Sequence, residues 1–270
     1  MRVHGASIGV FWSQLLGYVA LSTVVEFVWY HRGRGRESEW RVQGRASGGK
    51  RRSHGSGDAR ERGDSYVWGF PAIDLATGRR VSGRHPLHPA FATANLLVSS
   101  LFAGATCEAF LRGASNLVAV PSDEIWSSGA LAASALALFK AVAWQSVLEY
   151  AWHRLMHTRR WYRMLHKLHH HYKAPEVWDD LFIHPLEAFG YYCILYSPAF
   201  FGAGAVPVPA FLAYMALMGA CGVLDHCGVD LEVPGGWYNT RFHDAHHELT
   251  NVNYAFPFDV MDRICGTYRE

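Results

Sequence analysis

The chain has 270 residues, of which half are apolar, 14% are aromatic and only 18% are charged, with a formal net charge of +2. An average soluble protein has about 25% charged residues. Because 13 of the 25 Lys and Arg residues lie between Arg32 and Arg84, long stretches elsewhere are almost without charge. This composition excludes a disordered, collagen-like or coiled-coil protein for most of the chain and favours a helical membrane protein.

The N-terminal part of the chain divides into an apolar stretch and a basic segment. Residues 6–30 contain only one charged side chain, Glu26. A helix of this length crosses a hydrocarbon core of about 30 Å, and the stretch is longer than the apolar part of a signal peptide. We therefore expect residues 1–30 to be a membrane anchor. Residues 31–87 are rich in Arg, Gly and Ser, and this composition predicts a basic, largely disordered loop.

Four further apolar stretches follow the basic segment. The last two are separated by a break that contains two glycines and two prolines and is typical of a tight turn. The sequence thus predicts an all-α integral membrane protein with about three spanning helices plus a helical hairpin, and it places residues 88–270 in one membrane-embedded domain. The four stretches cover residues 89–111, 127–148, 185–205 and 208–224.

The positive charges predict the orientation in the membrane. The loop over residues 31–87 carries 13 Lys or Arg residues, whereas the segment 112–126 carries one. Loops rich in Lys and Arg stay in the cytosol, so the first loop is expected there and the second on the opposite side. The next crossing returns Glu149 and the segment after it to the cytosol, and a hairpin over 185–224 keeps the tail on the same face. The histidine-rich segments should then form a helical cap on the cytosolic side.

Histidine is the unusual component of the sequence. Eleven of the 16 histidines lie between His153 and His247, and eight of these eleven form an HxxxH box and two HxxHH boxes. On a helix, residues three or four positions apart share one face, so each box can direct its imidazoles at a metal ion. The five cysteines include no CxxC pair, so neither a disulfide framework nor a zinc finger is predicted. The ligand candidates in the boxes are His153, His157, His166, His169, His170, His243, His246 and His247.

Eight histidines exceed the ligand number of one transition-metal ion, so two ions are expected. Imidazole ligands suit zinc, copper, iron or nickel. His184 and His226 lie at the predicted cytosolic ends of the two hairpin arms. Their position beside the boxes makes both of them expected additional ligands, although each would otherwise be an ordinary histidine at a helix end. His171 lies one step off the helical stripe and is not assigned as a ligand.

Three acidic residues lie at the same depth as the boxes. Glu149 precedes His153 by one turn, Glu187 follows His184, and Asp225 is adjacent to His226. A ligand histidine needs a partner for its second ring nitrogen, and each carboxylate is a candidate for that task. Ordinary ion pairs with arginines at the helix ends are the alternative.

The motifs taken together resemble the fatty acid hydroxylase/sterol desaturase superfamily of membrane di-iron oxygenases. The resemblance extends from about Glu149 to Tyr268. Within the superfamily, the residues of these motifs are most similar to those of C-4 methylsterol oxidases and C-5 sterol desaturases. The basic segment after the first span and the Glu-Val-Trp-Asp-Asp sequence depart from the family pattern. The matching motifs are HRLMH, HKLHHHYKAP, HPLE, DHCG, FHDAHHELTNVNYAF and MDRICGTY.

This resemblance implies that residues 88–270 are a fatty acid hydroxylase-like catalytic domain. It implies two iron ions held by the eight box histidines, with His184 and His226 as further ligands and no catalytic residue beyond the ligands. It also implies that O2 and electrons from cytochrome b5 or an NAD(P)H-linked reductase serve to hydroxylate or desaturate a sterol or fatty-acyl substrate. The expected location is the endoplasmic reticulum membrane, with the active site facing the cytosol and no nucleic-acid partner.

Two other classes of protein remain open from the residues alone. A zinc-dependent membrane hydrolase would use zinc-bound water, but it needs fewer histidines and an open coordination position. A metal transporter, which is not an enzyme, would have ligands along its spanning helices rather than clustered at one face.

Overall fold

The computed structural model describes residues 3–33, 36–45, 85–202 and 204–270, and within them the architecture is almost entirely helical. Two very short strands are the other regular elements in these ranges. The α-helices are α1 (Gly5–Val25), continued by a π-helical turn (Glu26–His31), α2 (Glu37–Trp40), α3 (Val42–Arg45), α4 (His88–Leu111), α5 (Ser128–Met156), α6 (Arg159–Met164), α7 (Pro185–Tyr196), α8 (Val208–Asp225), α9 (Arg241–Leu249) and α10 (Val260–Cys265). Two 3-10 helices cover His166–His171 and Ser197–Ala199, and the strands are β1 (Leu117–Val118) and β2 (Val206–Pro207).

Four of these helices are long and apolar enough to cross a membrane: α1 with its π-helical turn, α4, α5 and α8. Their apolar side chains do not all face inward, since Leu101 on α4 is 60% exposed and Phe139 on α5 is 70% exposed. A helix that is apolar on all sides suits a lipid environment. The predicted class, an all-α membrane protein, is confirmed.

The apolar stretch 185–205 does not form a spanning helix. Helix α7 has only 12 residues, which corresponds to about 18 Å at a rise of about 1.5 Å per residue. It ends at Tyr196 because Pro198 has no amide hydrogen to continue the helix. The chain then turns at Gly202, where φ is +89° and a β-carbon would lie 2.3 Å from the Trp144 ring. The predicted hairpin therefore has one short arm, α7, and one long arm, α8.

The helices pack around a core that contains several tyrosines. Helix α1 packs against α4, α4 against α7, and α5 against both α7 and α8. Tyr192 on α7 donates to the Asn95 carbonyl of α4 at 2.9 Å, and Tyr214 on α8 donates to the Leu195 carbonyl at 2.9 Å. These hydroxyls are satisfied inside an apolar region, where an unpaired polar group would be costly. They fix α7 between α4 and α8.

The two ends of the helix bundle differ in character. At one end, β1 and β2 pair in parallel and join the α4–α5 connection to the hairpin turn. The opposite end carries the segments 157–184 and 226–270, which we call the cap. The C-terminal end of α1 lies at the cap, because Tyr30 donates to the Cys227 carbonyl at 2.6 Å. The N-terminal end of α4 also lies there, because the His85 amide donates to the Tyr172 hydroxyl at 2.7 Å. The loop over residues 31–87 thus begins and ends on the face that carries the histidine boxes.

A short part of the basic loop, which the sequence predicts to be largely disordered, forms regular structure. Residues 36–45 form α2 and α3, and Arg41 makes an antiparallel bridge with Val229. The physical reason is Trp40, whose ring packs 5.0 Å from that of Tyr30 and supplies the apolar contact that the rest of the segment lacks. Residues 46–84 lie outside the described residues, so the disorder predicted for them stays a prediction, as does the domain division at residues 30 and 87.

The fold predicts opposite accessibility for the two ends of the bundle. Single cysteines at exposed positions, Ser122→Cys in the α4–α5 connection and Glu248→Cys in the cap, would be placed in a variant whose native cysteines are replaced by alanine. A maleimide that cannot cross membranes should label only one of the two in sealed vesicles and the other only after permeabilisation. Labelling of both from the same side would contradict this arrangement of the helices.

Candidate metal centre

The first histidine box lies at the end of α5. His153 is in the last turn of the helix and His157 is the residue that caps it, so the two rings lie on one face with their centroids 5.0 Å apart. Side chains four residues apart share a helix face, as the sequence predicted. Both imidazoles point into the space between α5 and the cap.

The second box forms a 3-10 helix, whereas its spacing predicts an α-helix with the three histidines along one face. In a 3-10 helix, side chains three residues apart eclipse and lie about 6 Å apart along the axis. In this box, His166 and His170 belong to one group of histidines and His169 belongs to another. The third box is α-helical, on α9, where His243 and His247 share a face and His246 points elsewhere.

These segments bring nine histidines together in two groups. Within each group, the nitrogen atoms that could bind a metal all lie within 4.8 Å of one another. Each HxxHH box contributes to both groups, so the groups share the segments that carry them. The five-histidine group consists of His153, His157, His166, His170 and His246, and the four-histidine group consists of His169, His226, His243 and His247.

Burial keeps these imidazoles in the neutral form that binds metals. Eight of the nine side chains are buried and His157 is half-buried. Burial, the largest cause in every case, lowers the pKa of His226 to about 4. The same cause, followed mainly by the neighbouring imidazoles, lowers the pKa of His157, His166, His169, His170, His243, His246 and His247. The cluster therefore presents nitrogen lone pairs rather than positive charges.

Backbone carbonyls determine which ring nitrogen carries the hydrogen. A carbonyl oxygen only accepts, so an Nδ1 atom bonded to it is the protonated nitrogen, and Nε2 of the neutral ring is left with a lone pair. Four ligand candidates are held in this way, two in each group. The Nδ1–oxygen pairs are His153 with Tyr254 at 2.7 Å, His246 with Val252 at 2.6 Å, His226 with Gly222 at 2.9 Å and His247 with Tyr172 at 3.2 Å.

The Nε2 atoms converge at the spacing expected around a metal ion. In the five-histidine group, the Nε2 atoms of His166 and His170 lie 3.0 Å apart, and those of His170 and His246 lie 3.1 Å apart. In the four-histidine group, the Nε2 atoms of His226 and His243 lie 2.9 Å apart. For metal–nitrogen bonds of about 2.0–2.1 Å, two ligands at a right angle have nitrogens about 3 Å apart.

One buried imidazole nitrogen has a lone pair with no hydrogen-bond partner among the described residues. The Nε2 atom of His247 is buried without a hydrogen-bond partner among them, while its Nδ1 atom is bonded to the Tyr172 carbonyl. A buried polar atom without a partner is costly, and a cation at the centre of the four-histidine group would satisfy it. The residues present thus fit two metal ions with nitrogen ligands.

Asn253 and Tyr254 hold the first box in place. Asn253 has a positive φ of +56°, and its side-chain amide donates to the Phe242 and Arg269 carbonyls at 3.0 and 2.9 Å. The Asp262 carboxylate accepts from the Tyr254 amide at 2.9 Å. These bonds orient the Tyr254 carbonyl toward His153. The sequence alone does not reveal this role of Asn253 and Tyr254, because the contacts join residues that are far apart in the chain.

The acidic residues have partners other than those expected. The Glu187 carboxylate contacts Nδ1 of His166 rather than His184. Asp225 accepts from the Tyr238 hydroxyl at 2.7 Å, and Glu149 accepts from the Gln145 amide. Among the described residues, Glu187 is therefore the one carboxylate of the three that contacts a ligand candidate.

His184 belongs to neither group. Its Nδ1 atom accepts from the Leu186 amide at 3.2 Å and caps α7, and its ring lies 6.1 Å from that of Phe91. The expectation that His184 binds metal is not supported, because Pro185 starts a helix that uses this imidazole as its cap. His226, the other histidine expected from its place at a hairpin end, lies within the four-histidine group. His171, which was not assigned as a ligand, is exposed and lies beside His85.

The fold and the site define a helical membrane protein with a buried two-site centre built from histidine. Residues 138–267, which hold all nine histidines, match the model of the fatty acid hydroxylase family. No solved structure matches the chain significantly.

Curated relatives carry names from lipid metabolism. The chain is 34% identical over 130 residues to sphinganine C4-monooxygenase 1 of Arabidopsis thaliana, which covers 44% of this chain and 49% of the relative. It is 32% identical over 138 residues to methylsterol monooxygenase 1 of Gallus gallus, covering 45% and 44%. It is 34% identical over 131 residues to a very-long-chain aldehyde decarbonylase of Oryza sativa, covering 44% and 49%. The chain thus spans about half the length of these relatives.

Replacing His226 and His184, the histidines at the two ends of the hairpin, should distinguish a metal ligand from a residue that only caps a helix. His226→Gln should lower the metal content of the purified protein, because the four-histidine group loses one nitrogen from its centre. His184→Gln should leave the metal content unchanged, because the amide side chain can still cap α7. Metal analysis checks both variants, with His171→Ala as a control. Unchanged metal in His226→Gln, or loss in His184→Gln, would contradict the assignment of the groups.

Removing the carboxylate behind His166 should weaken metal binding without removing a ligand. For Glu187→Ala we expect a loss of metal affinity of about 10–100-fold, the usual effect of removing a partner that orients a ligand. Glu187→Gln keeps an acceptor for Nδ1 and should lose less. Titration of the metal-free protein measures both, and equal affinity in Glu187→Ala and the wild type would show that this contact does not orient His166.

Proposed function

We propose that the chain is an O2-dependent oxidoreductase that uses two iron ions to hydroxylate or desaturate a lipid. The observation that carries this proposal is the pair of buried groups of five and four histidines. Nine neutral imidazoles exceed what one ion takes and suit two transition-metal ions. The family match supports iron and oxygen as the reactive partners and lipid oxidation as the reaction.

The protein's part in this chemistry is to hold and shield the centre. Two irons supply the activation of O2 that removes hydrogen from an unactivated C–H bond, which acid–base side chains alone cannot do. The carbonyls of Tyr254 and Val252 hold His153 and His246 in the tautomer that directs Nε2 inward. The Glu187 carboxylate does the same for His166. Burial of eight of the nine imidazoles helps to exclude water from the reaction.

The substrate reaches the centre from the bilayer in this proposal. The helices that surround the site expose apolar side chains, and α7 presents Leu186 (69% exposed) and Phe189 (54% exposed) on its outer side. The inner side of α7 carries Tyr191, whose ring lies 6.4 Å from that of His153. We place the substrate path beside α7, because this short helix connects the lipid face with the five-histidine group. The names of the relatives make sphinganine and methylsterol the first substrate classes to test.

The position of the histidines argues against the two rival functions. A transporter needs ligands along its spans, whereas the nine histidines lie at the cap end of the bundle, where α5 and α8 end. A zinc hydrolase with a single ion leaves unexplained why a second buried group of histidines adjoins the first. Two iron ions per chain are therefore part of the proposal.

Location and electron supply follow the same reasoning. We propose that the cap faces the cytosol, because the loop with 13 Lys or Arg residues begins and ends on the cap side. An electron-donor protein such as cytochrome b5, or an NAD(P)H-linked reductase, would then approach the cap from the cytosol. We propose the endoplasmic reticulum as the membrane, which is the location that the resemblance of the motifs implies.

The proposal predicts an oxygen-dependent change in cellular lipids. Expression in a host that lacks its own methylsterol or sphinganine oxidase should yield either a lipid that gains one oxygen atom from isotopically labelled O2 or a lipid that loses two hydrogens. His243→Ala, at equal membrane levels, should abolish the product, because it removes a nitrogen from the four-histidine group. His171→Ala should retain it. A product that forms without O2, or whose added oxygen comes from water, would support the hydrolase instead.

A further inference from the structure

The ordered part of the basic loop crosses the cap. Residues 40–43, which we call the strap, follow the turn at Gly33, where the Trp40 indole donates to the Gly33 carbonyl at 3.0 Å. The Trp40 ring packs on Tyr30, and the Tyr30 hydroxyl donates to the Cys227 carbonyl at 2.6 Å. The strap is thereby attached to the C-terminal end of the first spanning helix.

The strap is bonded to the segment that follows His226. The Val42 amide donates to the Gly228 carbonyl at 3.1 Å, and the Asp230 amide donates to the Trp40 carbonyl at 2.7 Å. Gly228 has a φ of +67°, and a β-carbon at this position would lie 2.8 Å from the Pro175 carbonyl oxygen. The strap, the segment after His226 and the segment around Pro175 are thus closely packed.

Two strap side chains reach the segments that carry the other ligands of the four-histidine group. The Arg41 guanidinium contacts the Glu176 carboxylate at 2.5 Å, in the segment that follows the second box. The Gln43 amide donates to the Lys173 carbonyl at 2.8 Å in the same segment and to the Asp244 carboxylate at 3.1 Å on α9. Asp244 is adjacent to His243. Arg41 and its carboxylate partner are both mostly buried, so bulk water screens this ion pair less than a surface pair.

These contacts join all three segments that supply the four-histidine group. His169 comes from the second box, His226 from the end of α8, and His243 and His247 from α9. None of these segments continues directly into another, so their relative positions depend on contacts between them. The five-histidine group has separate supports, since His153 and His157 lie on the long helix α5 and Glu187 on α7 contacts His166.

We propose that the strap holds the four-histidine group in its metal-binding geometry, with Arg41 and Gln43 as positioning residues that act through Glu176 and Asp244. This inference rests on the proposed two-metal centre. It gives the unusual segment after the first span a specific task, which is retention of the metal in one of the two groups. The strap residues themselves do not touch the metal.

Metal retention in purified full-length variants tests the proposal. The double variant Arg41→Ala/Gln43→Ala should lose metal from the four-histidine group and keep it in the five-histidine group, so that content falls from two ions toward one per chain. Combined with His243→Ala, which already impairs the four-histidine group, the strap substitutions should remove little further metal. The charge-reversed pair Arg41→Glu/Glu176→Arg should retain more metal than Arg41→Glu alone.

A matched control comes from the same segment. Arg36 is exposed and pairs with exposed Glu39 at 3.8 Å, so Arg36→Ala should keep two ions per chain. Hydrogen exchange provides a readout that does not depend on metal. The amides of residues 228–231 should exchange faster in the double variant than in the wild type, both studied without metal.

The outcomes separate this proposal from the proposed function. Two ions in the wild type and an undiminished content in the double variant would overturn the strap's role while leaving the centre intact. Faster loss from the five-histidine group than from the four-histidine group would overturn it as well. A wild type that holds fewer than two ions would refute the two-metal centre, and with it the task proposed for the strap. Unchanged hydrogen exchange at residues 228–231 would show that the strap does not stiffen this segment at all.

Discussion

The rest of the structure depends on the mutual proximity of neutral imidazoles in a buried space. Carbonyl contacts at Nδ1 hold several of the rings, such as His153 and His226, in the tautomer whose Nε2 lone pair faces the neighbouring imidazoles. A cation at the centre of each group would make this arrangement favourable. In the proposed two-metal centre, metal binding would therefore be coupled to the folding of the cap.

The helix bundle provides what such a cap needs. The spanning helices α1, α5 and α8 end at the cap, and α4 begins there, so that the histidines project from a rigid base. The short helix α7 carries Glu187 to the level of the centre while its outer side faces lipid. The histidine groups thereby lie next to an apolar surface, a combination that the proposed oxidation of a lipid chain requires. The family match over residues 138–267 agrees with this reading.

Local sequence patterns predicted which histidines come together better than they predicted their arrangement. The HxxxH and HxxHH spacings identified eight of the nine histidines, because residues three or four apart meet on most helices, and His226 followed from its place at a helix end. The division of each HxxHH box, with residues i and i+4 in one group and residue i+3 in the other, was not predicted, because it depends on how the boxes pack against one another. His184 has the same kind of position as His226 but caps α7 instead. The contacts of Tyr254, Glu187 and the strap join residues that are distant in the chain, so no spacing rule reveals them.

X-ray absorption at the iron K-edge of the purified protein is the measurement that tests the central claim most directly. Two all-histidine sites predict a first coordination shell of nitrogen and oxygen at about 2.0–2.2 Å, with outer-shell scattering from several imidazole rings. The five cysteines lie outside both groups, so sulfur should be absent from the first shell. Sulfur ligands, or an outer shell that fits only one or two imidazoles per iron, would contradict the two groups of histidines as the metal centre.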